Sequence, residues 1–245
     1  MTQRIDDLCV TGDISPNDEM FTEDRGHYFR VGQSALECIS RSLEAAQVPR
    51  HNIQEILDLP CGHGRVLRYL RASFPGARIV ASDVVREGVE FCVRVFGAYP
   101  AYAGEDPASI PLERDAFDLI WVGSLFTHLD APRWSPFFDV FRRALRPGGV
   151  LVFTTHGRTS YDWMVRGLVD YRLPDGGSAM VQNGYERAGF GYTHYSESRP
   201  YGHSLSSPAW VVNRIGNVTK LRLVFFCERA WDNHQDVYAC VRESN

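Results

Sequence analysis

Apolar positions along this 245-residue chain follow two different periods. Short apolar runs mark buried strands at Ile56-Leu57, Arg78–Asp83, Asp118–Val122, Val150–Thr155, Leu221–Cys227 and Asp236–Val241. Between them, apolar side chains recur at helical spacing. Val31, Ala35, Ile39, Leu43 and Ala46 form one stripe from His27 onward, and Val66, Leu67 and Leu70 form another within Arg65–Leu70. Val89, Cys92, Val93 and Phe96 line one side of Glu87–Phe96. A further helix over Phe137–Leu145 is closed by Arg146-Pro147-Gly148-Gly149, a stop signal. Ser207 and Pro208 suit the N-cap and first turn of a helix running to about Arg214. Strands alternating with helices predict an α/β domain.

The most informative stretch is Glu55–Leu70, in which a strand passes into a helix through the loop Asp58–Gly64. Glycines let backbone approach a ligand closely. Gly62 and Gly64 sit two apart, but Leu67 stands where a dinucleotide-binding G-x-G-x-x-G would place its third glycine. Asp83, at the end of the second strand, lies 19 residues beyond Gly64. One short crossover helix fits between them, so the two strands can be parallel neighbours. An acid at that strand tip can accept hydrogen bonds from ribose hydroxyls. The plainer alternative is an ordinary strand–turn–helix crossover.

Asp58-x-Pro60-x-Gly62-x-Gly64 resembles motif I of the class I S-adenosylmethionine (SAM) methyltransferases, with Pro60 at the first glycine position. Three further stretches resemble the same family in order. Residues 105–112 resemble its G-D-A-x-x-L-P-F run, FDLIWVGSLFTHL its fourth strand, and Leu145–Leu151 its L-R-P-G-G-x-L run. The resemblance covers residues 50–156 well and implies a seven-stranded doubly wound sheet. That sheet is mostly parallel with strand seven antiparallel, has helices on both faces and carries an insertion after strand five. It implies SAM as cofactor and S-adenosylhomocysteine (SAH) as product. Implied cofactor residues are Asp58, Pro60, Gly62, Gly64, Asp83, Asp106 (on the adenine amino group) and Ser124. Arg30 or Tyr28 is a candidate for the cofactor's carboxylate or the substrate, with a surface cap as the alternative. Gly123-Ser124-Leu125-Phe126 replaces the N/D-P-P-Y/F run of amino-methylating nucleic-acid enzymes. The tail W-D-x-H-Q-D-V-Y is similar to bacterial methyltransferases of glycan-modifying clusters.

Domain boundaries follow. Residues 1–26 hold seven acidic side chains and read as a flexible or loosely packed leader. A single methyltransferase domain is expected over 27–245, with 157–206 as a lid and substrate-binding insertion. Loops on the carboxyl edge of such a sheet carry ligands. Tyr161, His194, His203 and, near the tail, Trp231 are therefore candidate substrate contacts; the insertion's aromatics could equally form a small core of its own.

Composition narrows the choices. Hydrophobic content of 44% and charged content of 23% suit a globular chain, and a net charge of −4 argues against long nucleic acid as a partner. No apolar leader or membrane span is evident, and six scattered cysteines suit a reduced, cytoplasmic setting. A methyl group moved onto a hydroxyl needs a base, and His is the usual one. His156 and His234 are the leading candidates, with His203 and His194 behind them. His128, just past the fourth strand, is expected to be structural. Cys61 and His63 within the loop are assigned to packing. No metal-ligand spacing stands out, so metal-independent chemistry is expected. The expected reaction is SAM-dependent methylation of a hydroxyl or amino group on a small molecule or saccharide. The alternatives are a nucleotide-cofactor oxidoreductase and a non-catalytic SAM-binding regulator.

Overall fold

A computed structural model describes residues 8–104, 106–196 and 201–244. Seven strands form one sheet: β1 (Glu55–Asp58), β2 (Arg78–Asp83), β3 (Tyr99–Tyr102), β4 (Phe117–Val122), β5 (Leu145–Thr155), β8 (Leu221–Trp231) and β9 (Gln235–Arg242). Their order is β3-β2-β1-β4-β5-β9-β8. β9 runs antiparallel between β5 and β8, and the other described pairings are parallel. This is the expected doubly wound α/β sheet with its one antiparallel strand.

The period-two alternation explains the layers. Ile56, Leu119, Trp121, Val150 and Val152 face one core, shared with α1 (Arg25–Ala45), α2 (Leu67–Ser73) and α3 (Arg86–Phe96). Their neighbours Leu57, Ile120, Val122, Leu151 and Phe153 face the other, shared with α4 (Ala131–Ala144) and α7 (Pro208–Gly216). Phe126 anchors that second core, with the rings of Trp134, Phe138 and Phe153 at 4.5, 4.9 and 5.0 Å. Each face is thus dry, and both are needed for the strand ends to be held in register.

Two elements depart from the sequence pattern. β3 carries no apolar run; it is an edge strand whose Pro100 needs no ladder donor on its open side. α4 begins at Ala131, six residues before the expected start, because Asp130 caps it and Pro132 sits in its first turn. The Arg146–Gly149 stop signal instead forms an irregularity in β5, since Phe117 and Leu119 pair with Leu145 and Val150.

The insertion comprises α5 (Arg158–Val165), α6 (Gly177–Ala188) and a separate hairpin of β6 (Phe190–His194) and β7 (Gly202–Ser206). Met164, Val181 and Leu205 form its small core, with Tyr161, Tyr171 and Tyr185 packed on it. Residues 1–7 of the acidic leader lie outside the described residues. Residues 8–24 are mostly exposed but anchored at points: Asp18 is buried and accepts from the Tyr28 hydroxyl at 2.6 Å, and Arg68 reaches the Thr11 carbonyl at 2.8 Å.

Helix α1 crosses the start of α2 at Gly32, where an added Cβ would stand 2.4 Å from the Arg65 carbonyl oxygen. Alanine normally stabilises a helix interior over glycine by about 1 kcal/mol. Here the sign reverses. Gly32→Ala is expected to cost about 1–3 kcal/mol in denaturant unfolding, because backbone must move to admit the methyl group.

Candidate functional site

The carboxyl ends of β1, β2 and β4 converge on a cavity of about 200 Å³. Its wall includes Pro60–His63, Asp83, Gly123-Ser124, His128 and Trp231. The loop after β1 is laced to its neighbours by backbone. Leu59 N–H donates to the Trp121 carbonyl (3.1 Å) and Cys61 N–H to Ser82 (2.9 Å). Gly62 N–H donates to Asp83 Oδ2 at 2.8 Å, and Val85 N–H donates to Oδ1 at 2.9 Å. Each Asp83 oxygen keeps a second acceptor site, so the carboxylate both fixes the loop and can still accept from a ligand. Gly64, at φ +81°, turns the chain into α2; a Cβ there would lie 2.4 Å from the Phe96 ring. It shapes the loop from behind rather than lining the cavity.

Asp58 lies beneath this loop, fully buried, with no donor for either carboxylate oxygen among the described residues. Burial, and the charge of Asp83, push its carboxyl well above the usual range. Burial raises Asp83 as well, against the N–H groups that donate to it. Asp58, buried without a donor and repelled by Asp83, would be relieved by a cationic ligand above the glycine loop. SAM carries an ammonium group and a sulfonium, so these residues fit it.

Ser124 follows β4 at φ +64°, and hydrogen bonds hold it there, among them one from the Thr127 hydroxyl to its carbonyl at 2.6 Å. Its N–H donates to Thr154 Oγ1 (2.8 Å), and its hydroxyl meets Thr127 Oγ1 (3.0 Å) and the Gln235 amide (3.1 Å). Trp231 presents its ring to the cavity while its indole N–H donates to the Val31 carbonyl at 3.0 Å.

Beyond Ser124 four histidines meet from distant parts of the chain. The His156 ring stacks 4.8 Å from His203 on one side and 4.8 Å from His234 on the other. Tyr171 hydroxyl lies 3.0 Å from His234 Nε2. Burial, then repulsion from His203 and His234, drives His156 well below the usual imidazole range. Burial takes His203 down to about 3 and lowers His234 and His128 too. His156 is the middle ring of this stack and does not border the cavity, whereas His128 does. His128 Nδ1 lies 3.0 Å from the Gly202 carbonyl and 3.1 Å from the Tyr195 hydroxyl. A carbonyl only accepts, so the neutral ring carries its proton on Nδ1 and leaves Nε2 as the acceptor.

Several sequence candidates lie elsewhere. Arg30 is exposed and pairs loosely with Asp24 at 3.9 Å, because its position on α1 faces outward. Tyr28 is spent on Asp18. Asp106 is exposed and caps a short 3-10 turn through Ala108 N–H (2.9 Å); Glu105 beside it lies outside the described residues. Tyr161 donates to Glu186 and stacks on Tyr185, within the insertion. His194 is exposed, and its Nδ1 lies 3.1 Å from the Tyr192 hydroxyl, away from the cavity wall. Conversely Asp18, Met20, Arg65 and Trp121 line the cavity with no local motif to mark them, and Cys61 and His63 line it too. Among the described residues no group of three or more His, Cys, Asp or Glu is arranged to hold a metal ion.

Residues 56–149, which contain this loop, Asp83 and Ser124, match the family described as a methyltransferase domain. That segment, about the middle of the chain, is thus similar to a methyltransferase domain. Similar curated proteins include a malonyl-[acyl-carrier protein] O-methyltransferase of Hahella chejuensis, 33% identical over 42% of this chain and 36% of that protein. Another, from Enterobacter lignolyticus, is 33% identical over 50% and 48%, respectively. A fatty-acid O-methyltransferase of Mycolicibacterium smegmatis is 31% identical over 44% and 39%. The chain thus spans half or less of the length of these relatives. Among solved structures, a SAM-dependent methyltransferase from Clostridium acetobutylicum shares the fold at TM-score 0.58 and 16% identity, over 89% of this chain and 92% of that one. A putative one from Listeria monocytogenes does so at TM-score 0.57 and 12% identity, over 86% and 98%. No helix of the described residues is long and apolar enough to cross a membrane.

The histidine stack makes stability depend on pH with a definite sign. His203 has a folded pKa of about 3 against an ordinary 6.5, so the folded state resists protonation that the unfolded chain accepts. Its contribution is intact above pH 6.5 and is lost as pH falls from there toward 3. Denaturant midpoints of the wild type should fall between pH 6.5 and 5, with His203 alone contributing up to about 1.4 kcal/mol per unit. His203→Gln should flatten that decline.

Proposed function

We propose that this methyltransferase moves the methyl group of SAM onto an oxygen of a small-molecule or saccharide acceptor, with His128 as the base. The observation that carries the reading is the position of His128: on the cavity wall beside Ser124, held neutral by burial, with Nε2 free of protein partners among the described residues.

SAM, when bound, supplies an electrophilic methyl group that needs no metal or further activation. The loop 60–63 and Asp83 would hold the donor, with Asp83 accepting from ribose hydroxyls and Asp58 facing its positive end from beneath the loop. Ser124, fixed by Thr154, Thr127 and Gln235, borders the space between donor and acceptor. An acceptor hydroxyl there would give its proton to His128 Nε2, which the Gly202 carbonyl keeps unprotonated by holding the ring's proton on Nδ1. The β6–β7 hairpin, tied to β5 by Ser206 N–H on the His156 carbonyl (2.9 Å) and to the β4 loop by Ser204 on Phe126 (2.9 Å), closes this end against water. His234, half-buried and bonded to Tyr171, is the second candidate base; His156 serves as packing between rings.

A second acceptor chemistry has its own support. The curated relatives named above include a malonyl-[acyl-carrier protein] O-methyltransferase and a fatty-acid O-methyltransferase. A carboxylate nucleophile is already ionised and needs no base.

His128→Gln separates the two. For a hydroxyl acceptor, turnover with methyl-labelled SAM should fall about 100-fold or more, with SAH affinity changed by less than about threefold. For a carboxylate acceptor turnover should hold, and an unchanged rate with hydroxyl acceptors would refute His128 as base.

A further inference from the structure

Arg65 stands in the wall of the cofactor cavity and also in that of a second cavity of about 140 Å³, formed with Val31, Trp231, Asp232, His234 and Gln235. The two spaces share Arg65 and Trp231 as a partition. Its guanidinium lies 6.0 Å from the Tyr28 ring centroid and 5.9 Å from that of Trp231, so it is confined between aromatic faces.

This cation has no carboxylate within ion-pair distance among the described residues. The two acids that face it are engaged elsewhere. Asp18 takes the Tyr28 hydroxyl and the Met20 N–H at 2.6 and 3.0 Å, with His63 at 4.0 Å. Asp232 leans to His27 at 3.8 Å. Arg68, one turn later, shows the contrast: its guanidinium is consumed by Gly64, Thr11 and Tyr28 at 3.2, 2.8 and 3.3 Å. Arg65 is half-buried and faces two cavities without a hydrogen-bond partner among the described residues, and its planar fork matches a carboxylate in two-point contact.

We propose that Arg65 is the anion receptor of this site and binds a carboxylate. The carboxylate belongs either to the amino-acid end of the methyl donor, in the first cavity, or to the acceptor, in the second. This deepens the methyltransferase reading and rests on it only for the first source.

The test compares wild type, Arg65→Gln and Arg65→Lys, each checked for cooperative melting. Calorimetry measures SAH and methylthioadenosine, which lacks the amino-acid end; NMR titration measures hexanoate on the same proteins. Loss of SAH affinity by about tenfold or more in Arg65→Gln, with methylthioadenosine unchanged, places the donor's carboxylate on Arg65. Loss of hexanoate binding with SAH unchanged places the acceptor's there. In either case Arg65→Lys, which keeps charge but not the fork, should lose less. Unchanged affinity for both carboxylates, or equal loss of methylthioadenosine, would overturn the proposal. Hexanoate binding that depends on Arg65 in a protein that ignores SAH would uphold the receptor and remove the methyl-donor reading instead.

Discussion

The hydrogen bond from Gly62 N–H to the Asp83 carboxylate joins the loop after β1 to the tip of β2. Without it, two neighbouring strand ends would carry independent loops. With it, the glycine turn, the strand tip and the backbone bonds to Ser82 and Trp121 form one rigid rim. The bond also sets the electrostatics. It keeps one acid engaged at the surface of the cavity while Asp58 remains unpaired beneath it. That arrangement is unfavourable alone and becomes favourable when a positive group enters.

The opposite side of the site is built by the insertion. Its own core is small, so it depends on the sheet for position: β7 leans on β5 and on the turn after β4. The same contacts bring the Gly202 carbonyl to His128 and stack His203 on His156. Packing and chemistry are therefore coupled. A shift of the hairpin would unlock the tautomer of His128 on the cavity wall and expose imidazoles that burial now keeps neutral.

Much of this is legible in the chain before it folds, for physical reasons. The strand–loop–helix at 55–70 is local, so residue order alone carries it. β1, β2, β4 and β5 are buried on both faces and appear as continuous apolar runs. Tyr99–Tyr102 escapes notice because an edge strand has little apolar demand on it. The difference between Arg30 and Arg65 also escapes, since which helix face meets the sheet edge depends on the Gly32 crossing. Asp106 looks like a ligand contact by position but spends its side chain on a cap. The histidines at 128, 156, 203 and 234 are far apart in sequence, and only the folded insertion brings their rings together. Hence a reading by sequence order favours His156 and His234, whereas the cavity wall carries His128.

The central claim is that the rim formed by Gly62 and Asp83 receives an adenosyl ligand with a positive methionyl end. The most direct measurement is calorimetric titration of the whole chain with SAM, SAH and a nicotinamide dinucleotide, repeated on Asp83→Ala. Saturable heat with SAM and SAH, none with the dinucleotide, and a loss of about tenfold or more in the variant are expected. A folded protein that gives heat only with the dinucleotide, or with none of the three, would contradict it.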